Sequence, residues 1–296
     1  MIEVESRRGC SPSRVERDDM ADRIDLMGLP IDRVTEAGVI GRVLAGVHAG
    51  AGGWVATPNV DHLRIMSSRP ELMAIVSLAD LILADGMPLV WASKLQGTPL
   101  PGRVSGSALV FSLTEAAARA GVSIFLLGGN PGVAQKAAEM MIRSHRKLRI
   151  AGTLCPPWGF EEREAELNRI CDRIREANPS LVYCCLGFPK QEFLIQRLRQ
   201  VLPTCWFLGL GGSLSMVSGE IPRAPGWMRR VGLEWLWRLL KEPKRLAPRY
   251  LIHDLPFAVR LLWFSRQKRL ALRETTRTLP ERTTGLRAES TNAVSN

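Results

Sequence analysis

The chain carries little that would serve metal or disulfide chemistry. Its six cysteines (Cys10, Cys155, Cys171, Cys184, Cys185 and Cys205) form no C-x-x-C pair, and none of the four histidines stands at zinc-like spacing to them. The thiols therefore read as reduced, as in a reducing cytosol. Cys184 and Cys185 are neighbours in an apolar run, so in a strand they face opposite ways. No D-x-D-like pair, G-x-G-x-x-G fingerprint or Walker loop is present. No apolar run reaches the ~20 residues a bilayer span needs. The opening MIEVESRRGC lacks the apolar core of a secretory signal. Membrane contact is therefore expected to be peripheral.

What is present reads as globular. The 296 residues can bury a sizeable core, and 46% hydrophobic with 23% charged residues argues against disorder. The net charge of +11 asks for an anionic partner: nucleic acid, anionic lipid or a phosphorylated substrate. Nearly all of that charge sits in one place. Residues 223–273 hold thirteen Lys/Arg against Glu234, Glu242 and Asp254, a net of +10, together with Trp227, Trp235, Trp237 and Trp263.

Short apolar runs alternate with amphipathic stretches. The runs are 54–57, 81–84, 122–127, 148–154, 181–186 and 205–210. Helical periodicity marks 109–120, 132–144, 161–177 and 190–201. This alternation predicts an α/β fold: a Rossmann-like, mostly parallel sheet with helices on both faces. A flexible leader (1–20), an α/β core (21–220), a basic helical appendage (221–273) and a disordered tail (274–296) are expected. In the appendage Leu233, Leu236, Trp237 and Leu240 recur at i, i+3, i+4 and i+7, an apolar stripe that ends at Pro243.

The apolar runs end in glycine or polar residues, which in such sheets line the ligand rim. Thr57-Pro58-Asn59 follows the first run, with Asn59 or Asp61 available to cap a helix and an Asp61/His62 acid–base pair as an alternative. Asp85 ends the second run. Desolvation there suits a general base, and Gly86 permits a turn that leaves the carboxylate at the rim. Arg103 and Gly106 lie in a Gly/Pro-rich loop, where a guanidinium fork matches phosphate. Gly128 and Gly129 open a strand-to-helix turn suited to phosphate. Lys190, Gln191 and Glu192 start a helix after Pro189. A Lys there opposes the helix dipole and calls for an anionic partner.

In their order and spacing, seven stretches resemble the WecB/TagA/CpsF glycosyltransferases, glycosyltransferase family 26. They are TPNVDH (57–62), ADLILADGMPLVWASKLQG (79–97), RVSG (103–106), LLGGNPGVA (126–134), LGFPKQE (186–192), LGLGGSLSMVSGEIPRAP (208–225) and GLEWLWRLLKEPKRLAPRY (232–250). The resemblance implies transfer of a sugar from a UDP-sugar to an undecaprenyl-diphosphate-linked saccharide. It implies Asp85 as base beside Thr57 and Asn59, with Arg103 and Gln191 in the site. Gly86, Gly106, Gly128, Gly129, Lys190, Glu192 and Gly212 are further substrate-binding candidates. Arg238, Arg245 and Arg249 best match the family's lipid-diphosphate arginines. Met87-Pro88-Leu89, where the teichoic-acid type usually has a glycine after Asp-Gly, resembles the exopolysaccharide-type members.

The expected enzyme is therefore an inverting, metal-independent transferase with no cofactor. It is expected to be cytoplasmic, peripheral on the inner membrane face through an anionic surface, without a nucleic-acid partner, and able to form a homo-oligomer. A dinucleotide-dependent oxidoreductase and a basic nucleic-acid-binding protein are the rival readings. The first lacks the fingerprint glycines. Against the second, the cations are interleaved with Trp and Leu.

Overall fold

The computed structural model describes residues 23–278, with side chains as far as Arg273. The expected leader (1–20), Cys10 and residues 279–296 of the expected tail lie outside the described residues.

A hairpin comes first. β1 (Arg23–Leu26) and β2 (Leu29–Asp32) pair antiparallel across Met27 and Gly28, which have φ of 52° and 89°. Two left-handed residues give a turn whose twist matches the strands it joins. Six parallel strands follow: β3 (Gly53–Ala56), β4 (Leu81–Ile82), β5 (Ser123–Gly128), β6 (Arg149–Leu154), β7 (Leu181–Cys185) and β8 (Trp206–Gly209). Their spatial order is β4-β3-β8-β7-β5-β6. Each of the six apolar runs in the sequence supplies one strand. Edge strand β4 is only two residues long, and the hairpin packs beside it: the Asp32 carboxylate accepts the Ile82 N–H at 2.7 Å.

Alternation along the strands divides the core into two layers. Trp54, Phe125, Val182, Cys184 and Phe207 point to one face, and Val55, Leu126, Tyr183, Cys185 and Leu208 to the other. Cys184 and Cys185 thus face opposite ways. The first face is covered by α2 (Val60–Ser68), α3 (Pro70–Ser77), α4 (Met87–Gln96), α7 (Glu164–Ala177) and α8 (Lys190–Val201). The second is covered by α1 (Glu36–His48), α5 (Gly106–Ala120), α6 (Val133–Ser144) and α9 (Ser213–Val217).

The basic segment folds back on the first layer. It comprises α10 (Gly226–Arg230), α11 (Glu234–Lys241), α12 (Pro243–Ala247), a π-helical turn (Pro248–Asp254) and α13 (Leu255–Thr278). Phe257 and Leu261 of α13 join the core, and Lys268 reaches Asp25 in the hairpin at 2.7 Å. The helix runs past Arg273, where the composition turns polar. Gly232 lets this segment approach α4. Its φ is 78°, and a Cβ there would lie 2.3 Å from Cγ of Met87. The apolar stripe packs only in part: Leu233, Leu236 and Trp237 are half-buried, while Leu240 is 67% exposed. Among the described residues no helix is long and apolar enough to cross a membrane.

Candidate active site

A cavity of about 1480 Å³ opens where the strands end. Thr57, Asn59, Asp85, Gly86, Arg103, Gly129, Lys190 and Gly212 line it from the core. Arg238, Arg245 and Arg249 line it from the basic segment. Gly106, Gly128, Gln191 and Glu192 stand behind its wall. The sequence thus brings together residues more than 190 positions apart.

Asp85 is held by its backbone. Its N–H donates to the Pro58 carbonyl at 3.0 Å, which ties the β4 exit to the β3 exit. Its Oδ2 accepts the Gly106 N–H at 3.2 Å, at the start of α5. Burial pushes the carboxyl up to about 6, against the opposing pull of Arg103 and the Gly106 N–H, with Glu234 adding repulsion. An acid so poised is ionised at neutral pH yet holds a proton well enough to act as a base. Gly86 has φ of 140° and starts α4, which carries the chain away and leaves the carboxylate at the cavity.

Thr57 donates its hydroxyl to the Gly209 carbonyl at 2.6 Å, and a Cβ on Gly106 would come within 3.2 Å of that hydroxyl. These contacts knit the exits of β3 and β8 to the α5 start. Asn59 caps α2 by accepting the N–H groups of Asp61 and His62 at 3.0 and 3.1 Å. In place of the alternative Asp61/His62 pair, the two side chains make other contacts. Asp61 binds Arg64 at 2.6 Å and Arg249 at 2.9 Å, whereas His62 stacks on Phe188 with ring centroids 4.5 Å apart. Burial and the Arg249 charge push His62 down to about 4, so it is neutral at physiological pH.

Gln191 and Glu192 are buried. Gln191 accepts the Gly211 N–H at 3.1 Å and donates to Glu192 at 2.8 Å, which fixes the loop carrying Gly211 and Gly212 along the cavity. Burial raises Glu192 to about 7, and its Oε2 has no hydrogen-bond partner. Gly128 (φ 108°) is required by close approach, since a Cβ there would lie 2.3 Å from the Cys185 carbonyl oxygen. The Gly129 N–H already donates to that oxygen at 3.0 Å. The Val133 N–H is taken by the Asn130 carbonyl at 3.0 Å, which leaves the Ala134 and Gln135 N–H groups at the start of α6, a helix with no side-chain cap. Lys190 has an anionic partner, Glu161, and its ammonium lies 5.3 Å from the Trp158 ring centre.

The basic segment contributes residues that sequence reasoning missed. Glu234 is buried and accepts from Arg103 at 2.9 Å and from Ser107 at 3.0 Å, which joins segment to core. The available signal was its being one of only three acids in a segment of net charge +10. Asp254, also buried, lies 3.5 Å from Arg249. Burial, with Asp61 beside it, raises Asp254 to about 6. Arg64 and Arg249 outweigh burial to hold Asp61 below the usual carboxylate range. Arg245 pairs with Glu242 at 2.7 Å. The Nε groups of Arg238 and Arg249 are buried and make no hydrogen bond, although the Arg249 Nε lies 3.5 Å from the Asp254 carboxylate. Among the described residues no group of three His, Cys, Asp or Glu side chains could hold a metal ion.

A parallel α/β sheet that offers a carboxylate of raised pKa and several guanidinium groups in one cavity suits group transfer on a phosphorylated substrate. The chain belongs to the glycosyl transferase WecG/TagA/CpsF family, whose model matches residues 24–271, and it is a glycosyltransferase. A curated relative from Bacillus spizizenii is 34% identical over 194 residues, which cover 66% of this chain and 73% of the relative. That relative is an N-acetylglucosaminyldiphosphoundecaprenol N-acetyl-beta-D-mannosaminyltransferase.

Proposed function

We propose that this glycosyltransferase moves a sugar from a UDP-sugar to a saccharide carried on undecaprenyl diphosphate, by direct displacement with inversion. The observation that carries the proposal is Asp85, raised to about 6, in one cavity with Arg238, Arg245 and Arg249. The relative's name supports N-acetylmannosamine as the donor sugar and an N-acetylglucosamine-bearing acceptor. Its uronic acid or a hexose are the other donors, with Met87-Pro88 as the motif that sets this chain apart. Cell-surface or exopolysaccharide synthesis is the setting.

Asp85 removes the proton from the acceptor hydroxyl. That oxygen attacks the anomeric carbon as the bond to the UDP oxygen breaks on the opposite face. The uncapped first turn of α6 faces the departing diphosphate with N–H groups, and Arg103, held by Glu234, adds positive potential. Arg238 and Arg249, which line the cavity, bind the acceptor diphosphate. These cations take the place of a divalent metal, so EDTA should leave activity intact. Loss on EDTA treatment with recovery on Mg²⁺ or Mn²⁺ would refute this. The whole reading is tested by screening UDP-sugars against a polyprenyl-diphosphate-saccharide. Transfer from one of them supports it, and no transfer from any refutes it.

Access to that acceptor is proposed to come through peripheral docking on the inner membrane face. Trp227, Ile252, Val259 and Trp263 are each at least 60% exposed, in the segment of net charge +10. Each basic residue near an anionic leaflet adds about 1 kcal/mol, screened by salt. Co-sedimentation with anionic liposomes at low salt, lost at high salt, is the expected result. Binding indifferent to both salt and anionic lipid would contradict it.

A further inference from the structure

The cavity has an apolar arm that the transfer chemistry does not use. On α13, Leu255, Ala258, Val259 and Leu262 line it at i, i+3, i+4 and i+7, a single helical face. Trp91 of α4 and Ile65 of α2 line it opposite. Trp91, Leu255 and Val259 are 46%, 56% and 60% exposed, so the arm is an open groove rather than sealed core.

Each wall of the groove begins at the polar site. Leu255 directly follows Asp254, which contacts Arg249. Ile65 lies one helical turn beyond Asp61, the other Arg249 partner. Trp91 lies one turn into α4, which starts just after Asp85-Gly86. The cavity therefore holds a carboxylate, guanidinium groups and an apolar trough next to one another. From Leu255 to Leu262 the trough spans about 10 Å along the helix.

We propose that this groove binds the isoprene units of the acceptor lipid nearest its diphosphate. The inference rests on the acceptor reading above and deepens it. A sugar–diphosphate–isoprenoid molecule carries the same three chemistries as the cavity: hydroxyl for Asp85, diphosphate for Arg238 and Arg249, hydrocarbon for the trough between α4 and α13. Without such a groove, the hydrocarbon next to the charged head would find no apolar surface of the protein to cover it. With it, the head group is drawn up to the base while the distal chain stays in the membrane.

The test is binding of soluble probes in the absence of vesicles: inorganic pyrophosphate, geranyl diphosphate and farnesyl diphosphate, measured by calorimetry. Each isoprene unit laid in the groove should tighten binding roughly tenfold, since one buried methylene alone contributes a factor of about four. Ala258→Trp, which fills the trough, should abolish the advantage of farnesyl over pyrophosphate and leave pyrophosphate binding unchanged. Val259→Asp alters an exposed position and so does not depend on core repacking. It should cut the farnesyl advantage several-fold. Equal affinities of the wild type for all three probes would overturn the groove and leave the diphosphate site standing. So would an undiminished farnesyl advantage in both variants. Failure of the wild type to bind any of the three would overturn the groove and the acceptor reading together.

Discussion

The sheet rim and the basic segment position their functional groups in different ways. At the rim, backbone does it. Asp85, Thr57 and the α5 start are tied by main-chain N–H and C=O groups from three strand exits. In the basic segment, ion pairs do it: Arg103 to Glu234, Arg249 to Asp61 and Asp254, Lys268 to Asp25. Backbone placement is insensitive to pH and salt. Ion-pair placement responds to both, and it lets an anionic ligand compete for the same guanidinium groups. The proposed base is thus fixed by backbone, while the proposed acceptor grip rests on ion pairs that an anion can exchange.

The largest effect should come from the rim. Asp85→Asn should lower turnover by roughly 10²–10⁴-fold. It should not lower the melting temperature at neutral pH. With its pKa raised, the carboxyl in the folded chain holds a proton that the unfolded chain releases, so its contribution to stability falls as pH rises toward 6. Steady-state kinetics and thermal melts check both. Next is the seam between the regions. Arg103→Ala and Glu234→Ala should each destabilise the protein, and the double variant should lose less than their sum. A coupling of about 1–3 kcal/mol is expected from a double-mutant cycle in denaturant, and strict additivity would show that the pair is no latch. Third, Arg249→Ala should raise the KM for the lipid acceptor at least several-fold and leave the KM for the donor sugar near wild type. The smallest effect should be at Glu192. Glu192→Gln keeps the hydrogen bond to Gln191 and removes a carboxyl whose pKa is near 7. The wild-type carboxyl loses its stabilising protonated form as pH rises through 7. Relative to wild type, the variant should therefore gain in melting temperature as pH rises from about 4.5 to 7 and keep that gain above 7, with activity little changed.

The sheet was legible in the sequence because parallel strands buried on both faces read as apolar runs. All six runs became strands, and 190–201 matched α8 residue for residue. The short hairpin was not legible: its alternation covers only four residues on each side of Met27-Gly28. Helices α1 to α3 were not read from the sequence, although the apolar stripe of α1 is as strong as that of α5 or α8. In the site, Asp85 was legible because a carboxylate at the end of a buried run is costly without a reason. The Arg103–Glu234 contact was not, since 131 residues separate the partners and helical phase placed Glu234 only off the apolar stripe. Gln191 and Glu192 carried a motif but no sign of direction. Only the folded chain shows them turned inward, to hold the Gly211 loop.

The central claim is that Asp85 is the base, and its pH dependence tests this most directly. The measurement is kcat/KM for transfer to the lipid-linked acceptor from pH 4.5 to 8.5, in wild type and in Asp85→Asn. A base at Asp85 predicts an acid limb centred near pH 6 in the wild type, with the rate rising as the carboxyl ionises. The residual activity of Asp85→Asn should show no such limb. The same limb in the variant, or a flat wild-type profile across pH 6, would contradict the assignment.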